Sequence, residues 1–366
     1  MKSKIALLCS STSWSGLEMN HLKTAKYLND LNFETFVFCQ ENTPIETFAL
    51  EQNLNVVYIQ KHKRYKYFFA GLKLSNLLKE HQISNVIVRN SSDLNICSIA
   101  KTFSRNKFHL SFFMEMQLGV SKRNFLHTSR FTKIDLWVCS TNFLKNQVLK
   151  FTKFPAEKIK IIPPSLNLSL FQKEISKENS REKLNLPSNK IIIGLIGRLD
   201  ILKGQHLLLK ALAILKNENL FVCFMGSPTL NEDNNYFNFL KDYVKSNNLK
   251  NQVVFLPFQE EVCNFYKAID VCVLASKSET FGMVTIESLA SGTTIIASNA
   301  GGTPEILENG NLGLLFETEN EIDLAEKINC FLRNEFFSDK LKIEKSIQKY
   351  DSKQVLSEVI KSLGLK

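Results

Sequence analysis

Apolar positions along this chain fall into short continuous runs separated by polar turns, and helical spacing of apolar residues fills several of the intervals. In the first half the runs are Ile5 to Cys9, Thr35 to Cys39, Asn55 to Ile59, Asn85 to Val88, Leu110 to Phe113 and Leu136 to Cys139. Glu18 to Leu31 and Phe69 to His81 carry the helical period between them. The second half repeats the rhythm, with a strand expected to open at Lys190 and run into the glycine turn carrying Arg198, and further strands at Phe221 to Met225, Val253 to Leu256, Val271 to Ala275 and Thr294 to Ser298. Strands alternating with helices predict α/β architecture with a mainly parallel sheet. Ligands of such sheets gather at the carboxyl ends of the strands, so the loops after the runs are where chemistry is sought. After Glu319 the chain reads as helices, broken near Tyr350-Asp351-Ser352, where Asp or Ser can cap the last one.

A length of 366 residues suffices for two domains of ordinary size, and the polar stretch from Gln172 to Asn189 reads as a linker and surface helix between them. Just before it, Pro163-Pro164 stiffens the crossing. The apolar run at Ile5 to Cys9 is too short for a signal-peptide core or a membrane span and is expected to be the first strand. Eight cysteines lie scattered without a C-x-x-C pair, mostly in or beside apolar runs, which suits buried reduced thiols in a cytosolic protein and does not suggest zinc.

Charge sharpens the division. Residues 1–170 hold 23 Lys and Arg against 11 Asp and Glu, while residues 171–366 hold 23 against 25, within a net charge of +10. A basic first half suits an anionic partner such as a membrane surface, an acidic saccharide or nucleic acid; abundant Lys can equally reflect a solvated face. Within that half, Lys61 to Phe69 mixes cations with aromatics, a composition fit for a membrane interface or a phosphorylated lipid. A polar loop running into a helix with an aromatic end fits the same residues.

The most informative stretch is Ser276 to Glu305. Glu279 and Glu287 are separated by seven residues, with Phe281-Gly282 between them and Gly301-Gly302 beyond. The pattern is strand, turn, helix, and such a helix start presents unpaired N–H groups and partial positive charge to a phosphate. Glycine at 282 lets a ligand approach the main chain. A second turn, Gly197-Arg198 followed by Lys203-Gly204, projects two cations from a strand end, Arg as a planar fork and Lys as a point charge. Two carboxylates could also serve as the acid and nucleophile of a hydrolase, although the surrounding glycines and cations suit phosphate better.

This combination resembles the signature of the retaining glycosyltransferases of family GT4, and the likeness runs along nearly the whole chain, strongly after Lys190 and loosely before it. It implies the GT-B fold, two Rossmann-like doubly wound domains facing across a cleft. The expected division is residues 1–170 on the acceptor side, 171–345 on the donor side, and a C-terminal helix in 346–366 packing back on the first domain. The resemblance implies that Arg198 and Lys203 stabilise the departing diphosphate and that Glu279 accepts hydrogen bonds from the donor sugar. Glu287 would hold the ribose, and Gly197, Phe281, Gly282 and Met283 would line the donor, faced by Gly16 from the loop after the first strand. In that loop one of the two glycines usual in the family is replaced, leaving Ser15-Gly16-Leu17-Glu18. After the fifth strand, where many relatives place a histidine, this chain has Glu115, with His127 beyond. Glu18, Glu115 and His127 are the acceptor-side candidates.

The expected activity is transfer of a sugar from a nucleoside-diphosphate donor to a saccharide or lipid-linked acceptor, without cofactor or metal and with no nucleic-acid partner. Bacterial-type surface polysaccharide or lipopolysaccharide assembly at the inner face of the membrane is the expected setting, with peripheral contact through the basic half. A nucleotide-sugar-binding or scaffold protein of the same fold with impaired catalysis is the alternative.

Overall fold

A computed structural model describes residues 3–14, 16–60, 67–104, 107–228, 234–259, 261–336 and 339–365. Lys61 to Lys66, the cationic part of the basic and aromatic segment, and Ser15 lie outside the described residues. The chain divides into two compact units, Met1–Ser165 with Lys353–Lys366, and Leu166–Ser352.

The first unit is a parallel sheet of seven strands: β1 (Lys4–Leu8), β2 (Glu34–Cys39), β3 (Asn55–Tyr58), β4 (Asn85–Val88), β5 (His109–Met114), β6 (Leu136–Cys139) and β7 (Ile159–Ile161). Their order is β3-β2-β1-β4-β5-β6-β7. The register of β1 sets Ile5 to Leu8 beside Asn85 to Val88 on one side and Thr35 to Phe38 on the other. Such strands are buried on both faces, which is why they read as unbroken apolar runs. One face packs Leu22, Ala25 and Leu28 of the helix Gly16–Asp30. Val355 and Val359 of the C-terminal helix Ser352–Ser362 join that same cluster. The other face holds Trp137, Phe112, Phe131 and Phe154.

The second unit repeats the plan with β8 (Ile191–Ile196), β9 (Leu220–Met225), β10 (Val253–Leu256), β11 (Val271–Leu274), β12 (Thr294–Ser298) and β13 (Leu314–Phe316), in the order β10-β9-β8-β11-β12-β13. In both sheets the strand order reverses beside the first strand, between β1 and β4 and between β8 and β11. Loops leaving a parallel sheet at such a point diverge and open a crevice for a ligand.

Two features depart from the sequence reading. The boundaries fall at 165/166 and 352/353, because Leu166 pairs with Asp351 and because Leu166, Phe171, Ile347 and Tyr350 all sit in the second core. The polar stretch after Gln172 is also more than a surface linker. Arg181, on the helix Lys177–Lys183, is buried, donates to the Ala268 carbonyl at 3.0 Å and pairs with Asp270 at 2.7 Å. Asp270 in turn accepts the Ile192 N–H at 2.7 Å, so the helix is tied to the entry of β8. Among the described residues no helix is long and apolar enough to cross a membrane. All eight cysteines are free, six of them buried, and burial pushes the thiols of Cys39, Cys139 and Cys223 up to about 12.

Candidate functional site

In the second unit, the turn after β8 and the turn after β11 meet where the strand order reverses. Gly197 follows β8 and Arg198 points outward, exposed, with its guanidinium 3.9 Å from Asp200. Its backbone is fixed from below: Gln205, fully buried, donates its side-chain amide to the Arg198 carbonyl at 2.7 Å. Asp200 caps the short turn Ile201–Lys203 by accepting the Leu202 N–H at 2.8 Å, which delivers Lys203 to the neighbouring loop. There the Lys203 ammonium donates to Glu279 Oε2 at 2.9 Å.

The loop after β11 is shaped by close backbone approach. Glu279 has its carbonyl bound by the Gly302 N–H at 2.9 Å, and Gly301 sits so near that an added Cβ would lie 1.8 Å from that oxygen. Gly301 also has φ +61°, so glycine is required there on two counts. Gly204 is equally constrained, 2.2 Å from the Ala275 carbonyl by the same construction. The loop ends at Gly282, φ +84°, and the helix Met283–Ala290 begins without a side-chain cap, so its first N–H groups are presented at the turn.

Glu287 lies one turn into this helix. Its Oε2 accepts the hydroxyl of fully buried Tyr266 at 2.7 Å, which fixes the rotamer of a carboxylate that is itself only half-buried. Sequence reasoning missed Tyr266 as a site residue because the segment 265–270 reads as an ordinary packing helix. Phe281 differs from its expected place: its ring is buried in the core, edge-on to Tyr350 with centroids 5.6 Å apart. What Phe281 presents at the turn is backbone. Met283 is half-buried and packs against the same core. Thus Lys203 and Glu279 meet at the strand ends, Arg198 stands on the same turn as Lys203, and Gly282 and Glu287 follow on the helix that leaves the Glu279 loop.

The remaining candidates belong to the first unit. Gly16 opens the helix Gly16–Asp30, is exposed, and would have nothing within 4 Å of an added Cβ. Its loop is held instead by Asp93, a fully buried carboxyl at the start of the helix Asp93–Phe103, which accepts the Ser10 N–H at 3.1 Å and the Ser10 hydroxyl. Burial, opposed by the Ser10 hydrogen bonds, pushes the Asp93 carboxyl up to about 6. Glu18 is buried nearby and its charge contributes to that rise.

Glu115 pairs with Arg89, whose guanidinium also donates to the Thr24 hydroxyl at 2.9 Å and lies 5.1 Å from the Phe113 ring centroid. Asn20 reaches the other Glu115 oxygen at 3.4 Å. Burial raises the Glu115 carboxyl and the Arg89 charge opposes that rise. His127 lies on a different element, the helix Phe125–Phe131, stacked on Phe131 and 3.1 Å from the Arg130 guanidinium. Its imidazole is held below its ordinary range by burial, with Arg130 and Lys122 adding to the effect. Glu18 and Glu115 therefore share one neighbourhood, and His127 shares another with Arg130.

Comparison with known proteins follows this division. Residues 176–353 match the sequence profile of the family described as Glycosyl transferases group 1. The chain is 31% identical over 193 residues to a D-inositol 3-phosphate glycosyltransferase of Streptosporangium roseum, covering 50% of this chain and 44% of that one. It is 35% identical over 165 residues to spore coat protein SA of Bacillus subtilis, covering 43% of each. These matches span less than half the length of the curated relatives. Over nearly the full length the fold is that of Anabaena HepE, solved in complex with UDP, at a TM-score of 0.87 and 20% identity, covering 99% of both chains. The fold is GT-B.

Proposed function

We propose that this chain, which belongs through residues 176–353 to the group 1 glycosyl transferases, moves a sugar from a nucleoside-diphosphate donor to a saccharide or lipid-linked acceptor with retention at the anomeric carbon. The observation that carries the reading is the Lys203 to Glu279 contact at 2.9 Å, which joins the cationic turn after β8 to the carboxylate turn after β11 beside an uncapped helix start. Breaking the glycosidic bond to a diphosphate builds negative charge on the leaving oxygen. Arg198, Lys203 and the first N–H groups of the helix Met283–Ala290 are fixed donors for that charge, and fixed donors need no reorganisation as it develops. Glu287, oriented by Tyr266, accepts from the ribose hydroxyls, and Glu279 accepts from the donor sugar. With the charge met by protein groups, transfer proceeds without a metal ion.

That HepE is crystallised with UDP and with UDP-glucose favours a uridine donor among the nucleotides to be tried. Surface polysaccharide or lipopolysaccharide assembly at the cytoplasmic face of a membrane is the setting that fits the basic first half.

The test is incubation of the protein with UDP-, GDP- and ADP-sugars and candidate acceptors, with release of nucleoside diphosphate followed and the product's anomeric configuration read by NMR. Retained configuration, undiminished by EDTA, is expected. An inverted product would overturn the retaining reading, loss of transfer in EDTA the metal-free one, and release from none of the donors the assignment itself.

A further inference from the structure

The first unit contains a cavity of about 1160 Å³ that the donor chemistry does not use. It opens at the carboxyl ends of β1, β4 and β5 and runs between the helices Asp93–Phe103 and Phe125–Phe131. Its volume lies above the range a drug-sized ligand fills, roughly 300–1000 Å³, and so exceeds the needs of one sugar ring.

The lining is amphiphilic and charged with one sign. Ile99, Phe103, Phe112, Leu118 and Trp137 supply apolar wall, and Met116, Phe125 and Leu126 stand exposed at the rim. Arg89, Lys122, Arg130 and Lys133 supply cations, and no Asp or Glu lines the cavity among the described residues. Arg89 is already matched by Glu115. Arg130 is different: among the described residues it donates to the Asn95 side-chain oxygen at 2.6 Å and lies 3.1 Å from the His127 ring, both neutral, and it has no carboxylate partner there.

The Arg130 Nε is buried without a hydrogen-bond partner among the described residues, and so is the indole Nε1 of fully buried Trp137. Burial lowers the affinity of the Arg130 guanidinium for its proton. A half-buried cation held only by neutral groups, beside orphaned N–H donors, is costly until an anion arrives. Apolar wall along the same cavity requires that the anion carry hydrocarbon.

We propose that this cavity binds a phosphorylated amphiphile, its phosphate held by Arg130 with Lys122 and Lys133 and its hydrocarbon laid along Phe103 and Phe112. Naming that amphiphile the sugar acceptor rests on the glycosyl-transfer reading; the binding does not. The acceptor is then a phosphate-headed lipid and not a free saccharide.

The experiment is calorimetric titration of the full chain, below micelle concentrations, with decyl phosphate, decyl maltoside and inorganic phosphate. Decyl phosphate is expected to bind at least tenfold tighter than the other two. Arg130→Gln, which removes the charge and keeps a polar side chain, and Phe103→Ser, at an exposed position, are each expected to weaken it tenfold or more without lowering the melting temperature. Equal binding of decyl maltoside would reduce the cavity to apolar surface, and equal binding of inorganic phosphate would reduce it to an anion site. Parent-like affinity in both variants would also overturn the proposal. Titration of UDP into the same parent protein separates the two readings. Decyl phosphate binding without UDP binding sustains the cavity and removes the acceptor identity, whereas UDP binding without decyl phosphate binding overturns the cavity alone.

Discussion

The two units share one topology and treat charge in opposite ways. In the second, cation and carboxylate are closed on each other across adjacent turns, Lys203 on Glu279, and the loops approach so closely that Gly204 and Gly301 have no room for a side chain. In the first, Arg130 is left with neutral partners beside a wide cavity, and a Cβ added to Gly16 at the matching loop would meet nothing within 4 Å. A crevice locked by backbone contacts suits a ligand part that does not vary, such as a diphosphate. An open, unbalanced one suits a ligand that differs from one enzyme to another. The family profile matches only residues 176–353, on the locked side.

The largest expected effect is on turnover. Arg198→Ala and Lys203→Ala are each expected to lower it by about two to three orders of magnitude, the usual loss for one charge-stabilising group. Both should leave decyl phosphate affinity at the parent value. Steady-state kinetics with whichever donor the nucleotide-sugar screen finds checks the first part, and near-normal transfer by both variants would break the contrast between units.

Next comes stability at the two glycine loops. Gly301→Ala places a Cβ against the Glu279 carbonyl at a left-handed φ, and is expected to cost about 1–3 kcal/mol in urea unfolding. Gly16→Ala should stay within about 0.5 kcal/mol. Equal losses at both positions would mean that the first-unit loop is as constrained as the second.

How far these differences were legible from sequence depends on the residues. Strands such as β11 announce themselves because burial on both faces makes them uniformly apolar. β7 and β13 escape notice because each has three residues and is only partly buried, with Lys160 in the middle of β7. The turns after β8 and β11 were legible because their residues lie within two short segments. Tyr266 was not, since only the fold shows that its hydroxyl meets Glu287. Nothing in the sequence sets Arg130 apart from the other cations of the basic half, because the cavity that gives it meaning is assembled from residues between 10 and 137. Phe281 shows the opposite failure: a motif position beside two site residues whose ring belongs to the core.

A smaller effect concerns pH. The Asp93 carboxyl, raised from 3.8 to about 6 by burial, favours the folded state fully below about pH 4, and that contribution is lost as pH rises through 6. Asp93→Asn removes the ionisation, worth about 3 kcal/mol at pH 7.5, less about 1 kcal/mol for a Ser10 hydrogen bond that the amide nitrogen cannot accept, so it should be more stable than the parent at pH 7.5 and lose that advantage at pH 4. An advantage that grows as pH falls would contradict the assignment. Smallest is Tyr266→Phe, which removes one hydrogen bond to Glu287 and should raise the donor KM about fivefold with kcat little changed, corresponding to about 1 kcal/mol.

The central claim is that the crevice at Arg198, Lys203 and Glu279 binds a nucleoside diphosphate. Thermal denaturation with UDP, GDP and ADP tests it directly, in the parent and in Lys203→Ala. One of the three, at a hundred times its dissociation constant, should stabilise the parent by about 2.7 kcal/mol, and the same concentration should stabilise Lys203→Ala far less. No shift with any of them, or an equal shift in the variant, would contradict it.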